Sequence, residues 1–237
     1  MDESLKKTIQ AERLYLILAA LFIASLVSGN LIFQKFFHWD FFGIHTFELS
    51  VGILPYPITF LITDLIAEIY GKRRANQVVL AGLGATLFML LILSLANWAP
   101  ATDWSPINNE TFTKVFGLAP AAVAASMIAY LFAQLVDIRL YHFWKDYTNG
   151  KHLWLRNNAS TMTSQFVDTA SVLSLLCLFD AIEWELFWPL LWSGFLFKVL
   201  VAACDTPILY LLVYLCKRHF GLKGNEEIRQ LEGFTNK

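Results

Sequence analysis

The side chains that could do chemistry in this chain lie inside long apolar runs. Asp64 and Glu68 stand four residues apart, so they share a face if their run is helical. Gln134 with Asp137, and Gln165 with Asp168, repeat the pattern Q-x-V-D in two further runs. Lys198 and Asp205 stand seven apart, again on one side of a helix, and Arg139 lies near the end of its run. If these runs cross a bilayer, each charge at the centre costs at least about 2.5–3.5 kcal/mol and must face a partner or a wet cavity. Five acids (Asp64, Glu68, Asp137, Asp168, Asp205) against two bases (Lys198, Arg139) leave an acidic excess that pairing alone does not absorb.

A carboxylate accepts two parallel N–H bonds, and a glutamine amide both donates and accepts. Together they match the edge of a guanine-like base, where a ring N–H and an exocyclic amine donate and a neighbouring carbonyl accepts. Tyr56, Phe60 or Tyr130 would stack on the face of such a base. Lys198 would neutralise one acid or meet the carbonyl. The candidate ligand set is Asn30, Tyr56, Phe60, Asp64, Glu68, Gln134, Asp137, Gln165, Asp168 and Lys198. The competing reading is structural. The acids would pair with Lys198 and Arg139 and hold helices together, Glu68 and Arg139 would reach the headgroups, and Asn30 would make an interhelical hydrogen bond. Pro55, Pro57 and Pro207 would either free carbonyls for a site or act as tolerated kinks.

The elements that must position these residues follow from composition. Of 237 residues, 57% are apolar and only 16% charged, against a usual charged share of about 25%. The mean hydropathy is +0.51. A single water-soluble core cannot hide this much apolar surface. The balance of 18 Lys+Arg against 19 Asp+Glu argues against a nucleic-acid partner. Six runs reach spanning length: Leu14–Phe33, Gly52–Tyr70, Val78–Trp98, Leu118–Tyr141, Ser160–Phe179 and Leu186–Cys216. Fourteen Lys and Arg fall on the side of the termini and two, Lys35 and Lys114, on the other, which predicts cytoplasmic termini. All 8 tryptophans fall near span ends, where an amphipathic ring prefers to sit.

Other chemistries lack support. Cys177, Cys204 and Cys216 are odd in number and far apart, and no C-x-x-C or H-E-x-x-H occurs, so no disulfide framework, metal site or cofactor is expected. No G-x-x-x-x-G-K-[ST] or G-x-S-x-G motif points to ATP hydrolysis or to an intramembrane enzyme. The first run is too long for a signal-peptide core and reads as a retained helix. The connection Phe36–Ser50 is short and aromatic, with Gly43 marking a tight turn. Asn97–Lys114 reads as an exposed outer loop and Gly221–Lys237 as a mobile polar tail.

The order and spacing of several blocks resemble the queuosine precursor transporter family, also called the vitamin uptake transporter family. They are Ser28-Gly29-Asn30, the stretch from Pro57 to Gly71, and Ala125 to Tyr130 with Gln134-Leu135-Val136-Asp137. Trp154 to Thr161, Gln165 to Thr169, Lys198-Val199-Leu200 and Asp205-Thr206-Pro207 complete the set. The resemblance implies a bacterial inner-membrane importer of 7-cyano-7-deazaguanine and 7-aminomethyl-7-deazaguanine for tRNA queuosine synthesis. The sequence thus predicts an all-α integral membrane protein with a six-helix transport domain over 14–216, an N-terminal segment over 1–13 and a tail over 217–237. Its partners would be a small deazapurine base and the lipid bilayer, and a homodimer is compatible with it. Asp168 and Asp137 are expected to read the base edge beside Gln165 and Gln134, with Asp64 and Glu68 binding ligand or taking a proton. The alternative is a substrate-capturing subunit of an ATP-driven importer.

Overall fold

A computed structural model describes residues 3–33, 35–43, 45–117, 120–149, 151–178, 183–223 and 226–228. Six long helices make the body: α1 (Glu3–Ile32), α2 (Tyr56–Ile69), α3 (Lys72–Trp98), α5 (Pro120–Tyr147), α6 (Leu153–Leu178) and α7 (Phe187–Phe220), with a short α4 (Asn109–Phe116) between α3 and α5. Four stretches are long and apolar enough to cross a membrane among the described residues: Leu5–Ile32, Val51–Ile69, Lys72–Trp98 and Trp184–Phe220. Helices α5 and α6 have the length, at 28 and 26 residues, but carry the Q-x-V-D pairs and other polar groups that lower their apolarity.

Burial is inverted relative to a water-soluble protein. Leu16, Phe88, Ile128 and Phe132 are more than half exposed, whereas Asp64, Glu68, Gln134, Asp137, Gln165 and Asp168 are buried. An apolar exterior around a polar interior suits lipid as solvent, because each helix satisfies its own backbone and the costly groups turn inward. Helix α2 is the axis of this arrangement. It packs against α1, α3, α5 and α7, and every residue from Ile62 to Ile69 is buried.

Both ends of α2 have local causes. Pro55 precedes it and Pro57 lies in its first turn, where a missing N–H costs nothing. Gly71 ends it at φ +83°, and the Glu227 carboxyl occupies the space that a Cβ there would need. Helix α7 runs 34 residues with Pro207 inside, which removes the hydrogen bond to the Ala203 carbonyl. It stops at Gly221, whose left-handed φ of +74° lets the Gly221 and Leu222 N–H groups both cap the Lys217 carbonyl.

Phe36–Ser50 and Asn97–Lys114, the two connections with room for extra structure, both hold some, and the tail differs from the sequence expectation. Phe36–Phe41 and His45–Ser50 form an antiparallel hairpin, β1 and β2, paired from Phe36↔Ser50 to Phe41↔His45, so the fold is not purely helical. The turn passes through Phe42 and Gly43, both at positive φ. Alternation sends Phe47 and Leu49 inward, and Trp39 and Phe47 rest on Phe197 of α7 at ring distances of 5.4 and 5.9 Å. The outer connection holds α4, started by the Asn108 side chain on the Thr111 N–H. The tail is not loose where it is described. The Ile228 N–H bonds to the Ile69 carbonyl at 2.8 Å, and the Ile228 side chain is buried. Helix boundaries also extend beyond the expected spans: α1 is helical from Glu3, and α5 continues to Tyr147.

Candidate functional site

The intramembrane polar residues fall into three clusters along α2 rather than one slab. Tyr56, Asp64 and Glu68 head them, about 12 and then about 6 Å apart along the axis at 1.5 Å per residue. Each recruits different helices.

At the hairpin end, the Tyr56 hydroxyl donates to Asp168 Oδ2 at 2.5 Å. Lys198 Nζ donates to the same oxygen at 2.8 Å and to Thr169 Oγ1 at 2.9 Å. The ammonium also stands 4.4 Å from the Tyr56 ring centre, a cation–π contact. Beside this cluster a recess is lined by Tyr56, Phe60, Gln165, Phe197, Lys198 and Asp205, with Ile53, Pro57, Val201 and Ala202. It is narrow: its cavity volume is about 20 Å³, room for about one water at about 10–15 Å³ and far below ligand sites at about 300–1,000 Å³. A flat ligand therefore enters only when α2, α6 and α7 part.

In the middle, Asp137 accepts from Ser164 Oγ at 2.8 Å and neighbours the Asp64 carboxyl and Ser160. Asp137 is fully buried at this level. Gln134 lies wholly buried one turn earlier on α5.

At the end where α1 begins and α7 stops, Glu68 is fully buried and meets two lysines. Lys217 Nζ reaches Oε1 at 2.5 Å, Lys145 Nζ lies 3.6 Å from Oε2, and the Tyr141 hydroxyl donates to Oε2 at 3.2 Å. Lys145 also pairs with Glu227 of the tail at 3.1 Å. The pairing expected for Arg139 does not form, since Arg139 is exposed; the lysines come instead from the ends of α5 and α7. Asn30 donates to Met127 Sδ at 3.5 Å, linking α1 to α5 away from the recess. The Tyr130 side chain lies outside the described residues.

The recess thus gathers Tyr56, Phe60, Gln165 and Lys198 from the candidate set, with Asp168 behind Lys198. It leaves Asp64, Asp137 and Glu68 below. Phe197 and Asp205 belong to it but stand outside that set. Asp205 had a signal, one helical face with Lys198, whereas nothing local marks Phe197 among 20 phenylalanines. Among the described residues no group of three or more His, Cys, Asp or Glu could hold a metal ion.

Lipid-facing helices around buried polar clusters define a multi-pass membrane protein. The chain belongs to the family described as "Putative vitamin uptake transporter", whose model matches residues 50–212 and so takes in all of the recess. It is 27% identical over 175 residues to the "Probable queuosine precursor transporter" of Bacillus subtilis (strain 168), covering 72% of this chain and 73% of that protein. No solved structure matches it.

Proposed function

We propose that the chain imports queuosine precursors, 7-cyano-7-deazaguanine and 7-aminomethyl-7-deazaguanine, across the bacterial inner membrane. The observation that carries this reading is the recess, where the aromatic rings of Tyr56 and Phe60 meet the polar groups of Gln165 and Lys198 from three different helices. A planar base needs both, a ring to stack on and an edge to bond. The family match and the Bacillus relative support the substrate class.

Six helices cross the membrane in this reading, with the lysine- and arginine-rich end in the cytoplasm. The first turns of α1 and the last turns of α7 lie together at the Tyr70 end of α2, since Tyr70 reaches back to the Ala11 carbonyl and His219 contacts Gln10. Asp64 and Asp137, buried side by side between α2 and α5, are the proton carriers in this reading.

Two measurements test this. A strain unable to make the precursors, supplied with each base in turn, should regain queuosine in its tRNA only when this protein is present. Purified protein in liposomes should accumulate labelled base in response to an imposed pH gradient. Accumulation indifferent to the gradient removes the coupling, and transport only with an added ATPase would assign the chain to an ATP-driven importer instead.

A further inference from the structure

Asp168, one of the two acids that the sequence favours for the base edge, is already engaged. One of its oxygens takes both the Tyr56 hydroxyl and the Lys198 ammonium. Two other acceptors in the recess are not. Gln165 is 4% exposed, lines the recess, and its Oε1 has no hydrogen-bond partner. A buried amide oxygen left bare costs about 1–3 kcal/mol, so its donor is expected to be something that visits the site. Asp205 lines the same recess from α7 and makes no hydrogen bond or ion pair among the described residues.

The surroundings of Asp205 hold it in place. The next residue, Thr206, bonds to Asn158 of α6 and to the Ala202 carbonyl, tying α7 to α6 at this level. Pro207 follows, which leaves the Ala203 carbonyl without its helical donor. The basic group lining the recess, Lys198, is committed to Asp168 and Thr169. A carboxylate and an amide oxygen carried by residues that line one aromatic-walled space offer at least three acceptor positions.

We infer that Asp205, with the amide oxygen of Gln165, reads the donor edge of the base, and that Asp168 acts by positioning Lys198. This rests on the transporter reading above and specifies how that site chooses its substrate. A guanine-type ring offers three contiguous donor hydrogens, the ring N–H and two on the exocyclic amine. Asp205 takes the ring N–H and one amine hydrogen, and Gln165 Oε1 takes the other. Phe60 and Phe197 cover the ring faces. A base without the amine leaves acceptors unpaired in a buried site, which is the condition under which hydrogen-bonding sites discriminate strongly.

The experiment measures binding of 7-cyano-7-deazaguanine and of its counterpart lacking the 2-amine to purified protein in detergent. The unsubstituted protein should favour the amine-bearing base by about tenfold or more, as expected for lost bonds to a charged acceptor. Asp205→Asn should lose about ten- to a hundredfold in affinity for that base and several-fold less for its counterpart, which keeps only the ring N–H bond to Asp205, so that discrimination shrinks. Gln165→Leu should show the same trend, weaker. Equal binding of both bases by the unsubstituted protein overturns the assignment without need of any variant. Discrimination that survives in a folded Asp205→Asn protein, checked by its melting curve, also overturns it. If the unsubstituted protein binds neither base, the substrate reading itself fails and takes this assignment with it.

Discussion

The two ends of the bundle both bury a carboxylate against lysine, yet they are built differently. At the end where α1 begins and α7 stops, Glu68 and Glu227 meet Lys145 and Lys217, two acids against two bases among the described ion pairs. At the hairpin end, Asp168 and Asp205 share the neighbourhood of Lys198, leaving one acid over beside a recess. The balanced cluster ties α2, α5, α7 and the tail into one knot. The unbalanced one keeps acceptors in reserve. Charge balance thus separates the two clusters more sharply than burial does, because Glu68 and Asp168 are both buried.

That contrast can be broken, most severely at Glu68. Glu68→Gln should leave two largely buried lysines facing a neutral amide, costing about 3–5 kcal/mol, and should appear as a large fall in melting temperature or in folded yield. Asp168→Asn should instead spare most of the fold, since Thr169 still accepts from Lys198. It should nonetheless abolish uptake of labelled precursor by releasing the ammonium from its fixed position; normal uptake would remove Asp168 from the site. Tyr56→Phe removes one hydroxyl bond to the same oxygen. It should weaken precursor binding by about two- to tenfold, equivalent to about 0.5–1.5 kcal/mol, with the melting curve little changed. The smallest effect is expected for Glu227→Gln. Glu227 is partly exposed and Lys145 keeps Glu68, so a loss of no more than about 1 kcal/mol is expected, with precursor binding intact. A large loss of binding from Glu227→Gln would show that the two ends are coupled rather than separate.

Much of this was legible before any coordinates. The spacing of Asp64 and Glu68 put both on the inner face of one helix, and both are buried there. The count of five acids against two bases left out Lys145 and Lys217, which pair with Glu68, while Asp205 makes no ion pair among the described residues. What spacing could not say is that Asp64 and Glu68, one turn apart, face different neighbours, Asp137 for the one and Lys145 with Lys217 for the other. Lys145 and Lys217 read as loop charges at the membrane surface, yet Lys145 is buried, because the last turns of α5 and α7 carry these lysines in over Glu68. The tail read as loose because it is polar. It docks through a backbone bond from Ile228 and through Glu227, neither of which composition reveals.

By itself the sequence determined the solvent, the helical architecture and the list of side chains too costly to face lipid. Those properties are sums over local composition and period, and they do not depend on which helix neighbours which. Only the tertiary structure decided the partners: that Lys198 belongs to Asp168, that Glu68 is fastened by two distant lysines, and that Gln165 and Asp205 are left facing an aromatic recess. An ion pair or a cavity forms between helices far apart along the chain, and their relative rotation and depth are set by packing. A displacement of one turn, about 5.4 Å, is enough to exchange one partner for another.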